Sequence, residues 1–218
     1  MNSKTKKITT IAMLCAITYV VMAVGRIPVV LFLKYDPSDV IVTLGGLIWG
    51  PMTSCIVSVV VATIEMITVS DTGILGCIMN IVQTLSFACT AAVIYKKKHT
   101  LSGAITGLVI GFITSTIVMM LWNYLITPIY MGYSREAVAE LLLPVFLPFN
   151  ILKGGLNASI TFILYKPVIT ALRKSGYVTT STKEPRSRHI GLLIMAALII
   201  VTCVLFILSM NGIIDRKS

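Results

Sequence analysis

Leu143 to Ser159, LPVFLPFNILKGGLNAS, places Asn150 and Lys153 inside an apolar run that continues to Pro167. A lysine at the centre of a helix in hydrocarbon costs roughly 2.5 to 3.5 kcal/mol on insertion scales, so it calls for a partner, water or a route to the interface. Asn150 and Lys153 stand at i and i+3, which puts both side chains on one helical face. Gly154 and Gly155 follow, where another backbone can come close. One reading is a lysine near a helix end that reaches up to the headgroups. The other is a binding site, the default for an ionisable residue within a span. The rest of the chain decides.

Hydrophobic residues make up 56% of the 218 positions and charged residues 12%, and the mean hydropathy is +0.94. Such a composition excludes a soluble globule. Apolar runs of about 20 residues, the length of a membrane-crossing helix, recur from end to end. They are continuous and not alternating, which excludes barrel strands. The fold class is an all-α integral membrane protein seated in the lipid bilayer. The net charge of +10 gathers in short segments between spans, as in cytoplasmic loops facing an anionic leaflet. No basic stripe interleaved with aromatics exists to follow a phosphate backbone, so nucleic acid is not a partner.

All five cysteines lie in apolar runs without CxxC spacing, and His99 and His189 sit in basic loops. They read as small buried hydrophobes, with no metal site and no disulfide framework. There is no HExxH, no GxSxG and no Ser/His/Asp set, so no catalytic residues are assigned and an enzyme is not expected. Without a GxxxxGK[ST] motif the chain cannot hold ATP in a P-loop.

Lys4, Lys6 and Lys7 precede the first run, Ile8 to Gly25, which reads as an uncleaved span and not as a signal peptide. Ala12 and Ala16 on it form a small-xxx-small pair that lets another helix approach. Arg26 to Asp39, RIPVVLFLKYDPSD, mixes charge, an aromatic and two prolines. It reads as a partly ordered cover over a pocket, with Ser38 or Asp39 capping the next helix. Val40 to Trp49 is a short apolar helix turning at Gly50-Pro51 into Met52 to Val69, which carries Glu65. Ile74 to Tyr95 carries Asn80 and Gln83, and Leu101 to Pro128 carries Gly103, Gly107 and Gly111, ending in Trp122-Asn123-Tyr124 at the interface. Gly132 to Glu140 reads as a polar outer loop before a sixth span that begins near Pro144. A basic linker over residues 173–189 leads to a last apolar run, Ile190 to Met210.

If the spans alternate, the amino-terminal lysines, Lys96 to Lys98 and the linker share one side. The positive-inside rule makes that side, and the amino terminus, cytoplasmic. Tyr35, Asn80, Asn123, Asn150 and Lys153 then converge toward the outer face. Hydrogen-bonding groups in an apolar wall suit a flat aromatic ligand with a polar edge.

The segments LKYDPSD, VIVTLGGLIWGP, NYLITPIYMG and PFNILKGGLNASITFILYKPV, residues 33–168 in that order, resemble the riboflavin-binding substrate components of energy-coupling-factor (ECF) transporters. The resemblance runs from about Lys4 to Ala171. It implies a six-helix bundle over residues 1–172 in a bacterial cell membrane. Riboflavin is the implied transported ligand, with no cofactor. The implied partners are a transmembrane coupling protein and two ATPase subunits. By resemblance Asn123, Asn150 and Lys153 hold the polar edge of the flavin ring, Tyr35 lies in the loop above it, and Asn80 is a weaker match. Ala12 and Ala16 match the family's motif for the coupling protein. Residues 190–211 depart from that pattern as a seventh, additional helix. The alternatives are a substrate component for another vitamin ring and a stand-alone secondary carrier.

Overall fold

The protein was analysed as a computed structural model that describes residues 3–31, 33–70, 72–174, 196–197, 199–201 and 203–204. Among the described residues, five helices are long and apolar enough to cross a membrane. The first, α1, spans Ser3–Gly25. Leu14, Thr18 and Met22 recur every four residues and are buried, whereas Ala12, Met13, Ala16 and Ile17 are exposed. That is one packed face and one bare face on a single rod.

The stretch read as a cover is a β-hairpin, with β1 at Ile27–Val30 antiparallel to β2 at Leu33–Tyr35. Helix α2, Ser38–Trp49, has 12 residues and so measures about 18 Å, short of a membrane crossing. The expected cap from Ser38 or Asp39 is not what forms. Asp36 accepts the Ser38 amide at 2.8 Å instead, because Asp39 is one residue too far into the helix and turns inward. Gly50, at φ 99°, reverses the chain in a conformation that favours glycine. Pro51 then opens α3, Pro51–Thr68, in the helical position that needs no N–H.

Helix α4, Gly73–Lys97, contains a π-helical turn over Leu85–Cys89. Helix α5, Leu101–Met131, is capped by Thr100, whose hydroxyl accepts the Gly103 amide at 3.1 Å. It runs through Pro128 to Met131, three residues beyond the expected end, since a proline in the last turn breaks little of the ladder.

The expected outer loop from Gly132 to Glu140 is largely helical. Ser134 caps Arg135–Leu141, its hydroxyl accepting the Ala137 amide at 3.3 Å. A π-helical turn over Leu142–Phe146 carries the chain past Pro144 into Leu147–Lys174. These three pieces form α6. The wider turn accommodates a proline that would otherwise have ended the helix. Of the linker (173–189) and the added span (190–211), most residues lie outside those described.

Lipid gives helices no hydrophobic reason to associate, so close approach of small residues must supply packing. On α5 a Cβ at Gly107 would lie 2.7 Å from the Ala91 carbonyl oxygen of α4, and one at Gly111 would lie 2.6 Å from that of Phe87. Backbone atoms cannot swing aside as a side chain can. Outward, Val109, Ile113, Ile117 and Leu121 of α5 are exposed, as a lipid-facing surface requires. Gly111→Ala must therefore push α4 and α5 apart, at a cost of about 1 to 3 kcal/mol. A thermal melt in detergent should show a clear fall in Tm, and an unchanged Tm would remove this crossing from the account.

Candidate binding site

At the end of the bundle that holds the hairpin, polar side chains from every helix except α1 come together. Asp39, in the first turn of α2, is the hub. Its Oδ2 lies 3.4 Å from Lys153 Nζ on α6 and accepts from Asn157 Nδ2 at 3.2 Å. Its Oδ1 accepts from Thr84 Oγ1 on α4 at 2.6 Å. The α2 amino terminus adds a favourable partial positive charge next to the carboxylate. Asn157 Oδ1 in turn accepts from the Tyr35 hydroxyl at 3.1 Å. Burial, reinforced by Asp39 and Asp36, holds the Tyr35 phenol well above its ordinary pKa, so it remains a donor. Lys153 is therefore paired in place, and it does not reach for the headgroups.

A second cluster stands beside the first. Arg26, just beyond α1, donates through Nη2 to Glu65 Oε1 of α3 at 2.6 Å and to Asp36 Oδ2 at 3.2 Å. Asn80 of α4 donates to both oxygens of the same Glu65, each at 2.9 Å. Burial works against the Arg26 charge, but Glu65 and then Asp36 more than offset it and hold the guanidinium above its usual pKa.

Both clusters border a cleft whose empty space, open solvent included, is about 650 Å³. Asn80, Asn123, Asn150 and Lys153 all line it, with Met119 and Phe149 as apolar wall. Asn123 is 1% exposed and its Oδ1 accepts from Thr127 Oγ1 at 3.1 Å. Its Nδ2 is buried with no partner, and the same holds for Arg26 Nε on the opposite wall. A buried donor left unmade costs about 1 to 3 kcal/mol, so two of them facing one cleft mark a place where acceptors belong. Asn150 instead gives its amide to the Phe146 carbonyl at 2.8 Å, which orients its oxygen-bearing end.

Four of the expected site residues thus share one cleft, and two groups stand apart from it. Tyr35 does not line the cleft; its ring is buried against Val29, Leu33, Phe146 and Phe149, and only its hydroxyl joins the network. Ala12 and Ala16 lie on the bare face of α1.

Sequence reasoning missed Asp39, Glu65, Thr84, Asn157 and Arg26 as members of the site. Glu65 was within reach, since the rule that singles out Lys153 applies equally to a carboxylate in an apolar span. Asn157 was too, because it stands one turn beyond Lys153 on the same face. Asp39 was taken for a cap, a role its position equally suggests.

Comparison with known proteins gives one consistent result. The family model for the ECF transporter substrate-specific component matches residues 6–165. The riboflavin transporter RibU of Staphylococcus aureus is 30% identical over 179 residues, which cover 78% of this chain and 93% of that protein. The riboflavin transporter FmnP of Bacillus subtilis is 30% identical over 188 residues, 79% of this chain and 98% of its own. A solved S component of a bacterial ECF transporter superposes with a TM-score of 0.67 at 31% identity, covering 78% of this chain and 99% of that one.

Breaking a buried pair strands the remaining charge, at a cost of 3 to 5 kcal/mol, whereas removing both partners is far cheaper. Asp39→Leu should therefore lower stability by about 3 kcal/mol or more, and the double variant Asp39→Leu/Lys153→Met should recover much of that loss. Chemical or thermal unfolding in detergent would read both. Simple additivity of the two single losses would mean that Asp39 and Lys153 are not coupled.

Proposed function

Because this multi-pass membrane chain belongs to the ECF transporter substrate-specific components, we propose that it captures riboflavin in the cleft between the hairpin and α3 to α6 and hands it to an ATP-driven partner module. The observation that carries this reading is the pair of unpartnered buried donors, Asn123 Nδ2 and Arg26 Nε, on the walls of a cleft also lined by Lys153 and Asn150. An uncharged flavin ring offers carbonyl and imine acceptors along one edge, an N–H that Asn150 can accept, and a flat apolar body for Met119 and Phe149. Lys153 has Asp39 for its charge, so it approaches the ligand as a hydrogen-bond donor and no anion is required. No bond of the ligand is made or broken.

The orientation proposed here puts the amino terminus in the cytoplasm and the cleft outside, following the lysine-rich segments. The energy would come from two ATPase subunits through a transmembrane coupling protein, with Ala12 and Ala16 on the bare face of α1 as the docking stripe. Residues 1–172 would form the binding unit, and residues 190–211 an additional helix.

Protein purified in detergent from cells supplied with riboflavin should carry flavin absorption near one ligand per chain. A colourless protein that also fails to bind added riboflavin would end the flavin reading. Asn123→Ala removes one donor and should weaken riboflavin about tenfold to a hundredfold, with the melting curve retained; fluorescence titration reads the affinity, and an unchanged value would free Asn123 of this role. Ala16→Trp should leave that affinity alone and abolish uptake, because only helix approach is blocked. Lost binding in that variant would place α1 in the cleft wall and remove the docking assignment.

A further inference from the structure

The last apolar run lies beyond the family likeness, since the matching family model ends at residue 165. Its described residues between 196 and 204 are helical, and they have an inner and an outer face. Ala196 is 7% exposed and Ile200 and Cys203 are half-buried, whereas Ala197, Val201 and Val204 are exposed. Positions 196, 200 and 203 recur at i, i+4 and i+7, one stripe of a helix.

That stripe meets two surfaces. Ala196, Ile199 and Cys203 border an apolar groove whose other walls include Leu108 and Phe112 of α5 and Ile151, Gly155, Ala158 and Ser159 of α6. Gly155 and Ser159 stand at i and i+4, the spacing at which small residues admit a second helix in lipid. The neighbouring Gly154 is needed by the bundle itself, because a Cβ there would lie 2.4 Å from Phe112. A Cβ at Gly155 would meet nothing within 4 Å, so its smallness leaves room on the groove side, where Ala196 stands. The second surface supports the hairpin. Ile200 and Cys203 pack against the cluster that joins Val29, Leu33 and Tyr35 to Phe146 and Phe149. Cys203 is close enough to Tyr35 to add to the influences that raise its phenol's pKa. Leu33 belongs to this cluster and also lines the cleft, so the cluster that the last helix touches forms part of the cleft wall.

We infer that the run 190–211 is seated, through Ala196, Ile200 and Cys203, in the α5–α6 groove of its own chain, and that it braces the hairpin and slows release of a bound ligand. The retention step rests on the flavin reading of the cleft, and the seat does not. The chain leaves α6 at Lys174, the end of that helix away from Phe146 and Phe149. A helix that starts there and brings Cys203 to the hairpin cluster runs antiparallel to α6. It occupies the α5–α6 side of the bundle and leaves Ala12 and Ala16 of α1 bare.

Two experiments on the full chain test this. With Cys15, Cys55, Cys77 and Cys89 replaced by alanine, Ile151→Cys adds one thiol on the groove wall facing Cys203. Oxidation in membranes with copper–phenanthroline should join positions 151 and 203 within single chains, whereas Ile117→Cys, on the lipid-facing side of α5, should form no such bond. No bond from position 151, or a bond only between two chains, overturns the seat. For the brace, Ile200→Ala/Cys203→Ala removes packing from the hairpin cluster and should speed riboflavin release about tenfold, read by stopped-flow flavin fluorescence. Val201→Ala/Val204→Ala, on the exposed face, should leave the rate within about twofold. Equal rates in the two variants overturn the brace. A wild-type protein that binds no riboflavin overturns the flavin reading and the retention step with it, and the cross-link then decides the seat alone.

Discussion

A charge that must be neutralised away from bulk water governs the polar end of this bundle. Lys153 and Asp39 face each other at 3.4 Å with side-chain exposures of 10% and 6%. Around them, Thr84 and Asn157 donate to the Asp39 oxygens, and Tyr35 donates in turn to Asn157. A buried pair adds little net stability over a well-packed apolar substitute. Its value lies in position: α2, α4 and α6 must meet in one arrangement for the carboxylate to reach its partners, and the Tyr35 bond ties the hairpin to that arrangement. The lysine is held at the wall of the cleft as a consequence.

The opposite end is built on the contrary principle. Leu47, Tyr95, Ala104 and Tyr165 bury one another there, and the two tyrosine hydroxyls hydrogen-bond. At the hairpin end Asn157 is satisfied through both its oxygen and its amide, whereas Asn123 Nδ2 and Arg26 Nε are left open. The contrast separates structural polar groups from receptive ones more reliably than burial does, since Asn123 and Asn157 are equally buried at 1% and only Asn123 has a donor to spare.

Much of this was legible in the residues. Hydropathy placed the spans, Gly50-Pro51 placed the α2–α3 reversal, and Asn150 with Lys153 pointed to the cleft they line, because each rests on a local rule. What escaped depends on partners far along the chain. Asp39 and Lys153 are separated by 114 positions, and nothing in PSDV announces an inward carboxylate. Glu65 is bound by Arg26 and Asn80 from two other elements, so its role exists only after folding. The helical turn over Arg135–Leu141 was hidden by its charged composition and by Pro144, whose disruption is absorbed by a π-helical turn that local propensity does not encode.

Helix α1 shows how the same geometry links the site to the membrane surface of the protein. Leu14, Thr18 and Met22 face inward. Ala12, Met13, Ala16 and Ile17 face outward on the same rod. A helix is stiff over this distance, so the packed face and the face that carries the small residues move as one. Thr18 Oγ1 is buried without a hydrogen-bond partner, and Ala12 and Ala16 leave room for another helix to come close. Thr18 stands two residues from Ala16, so a single rigid element carries both features.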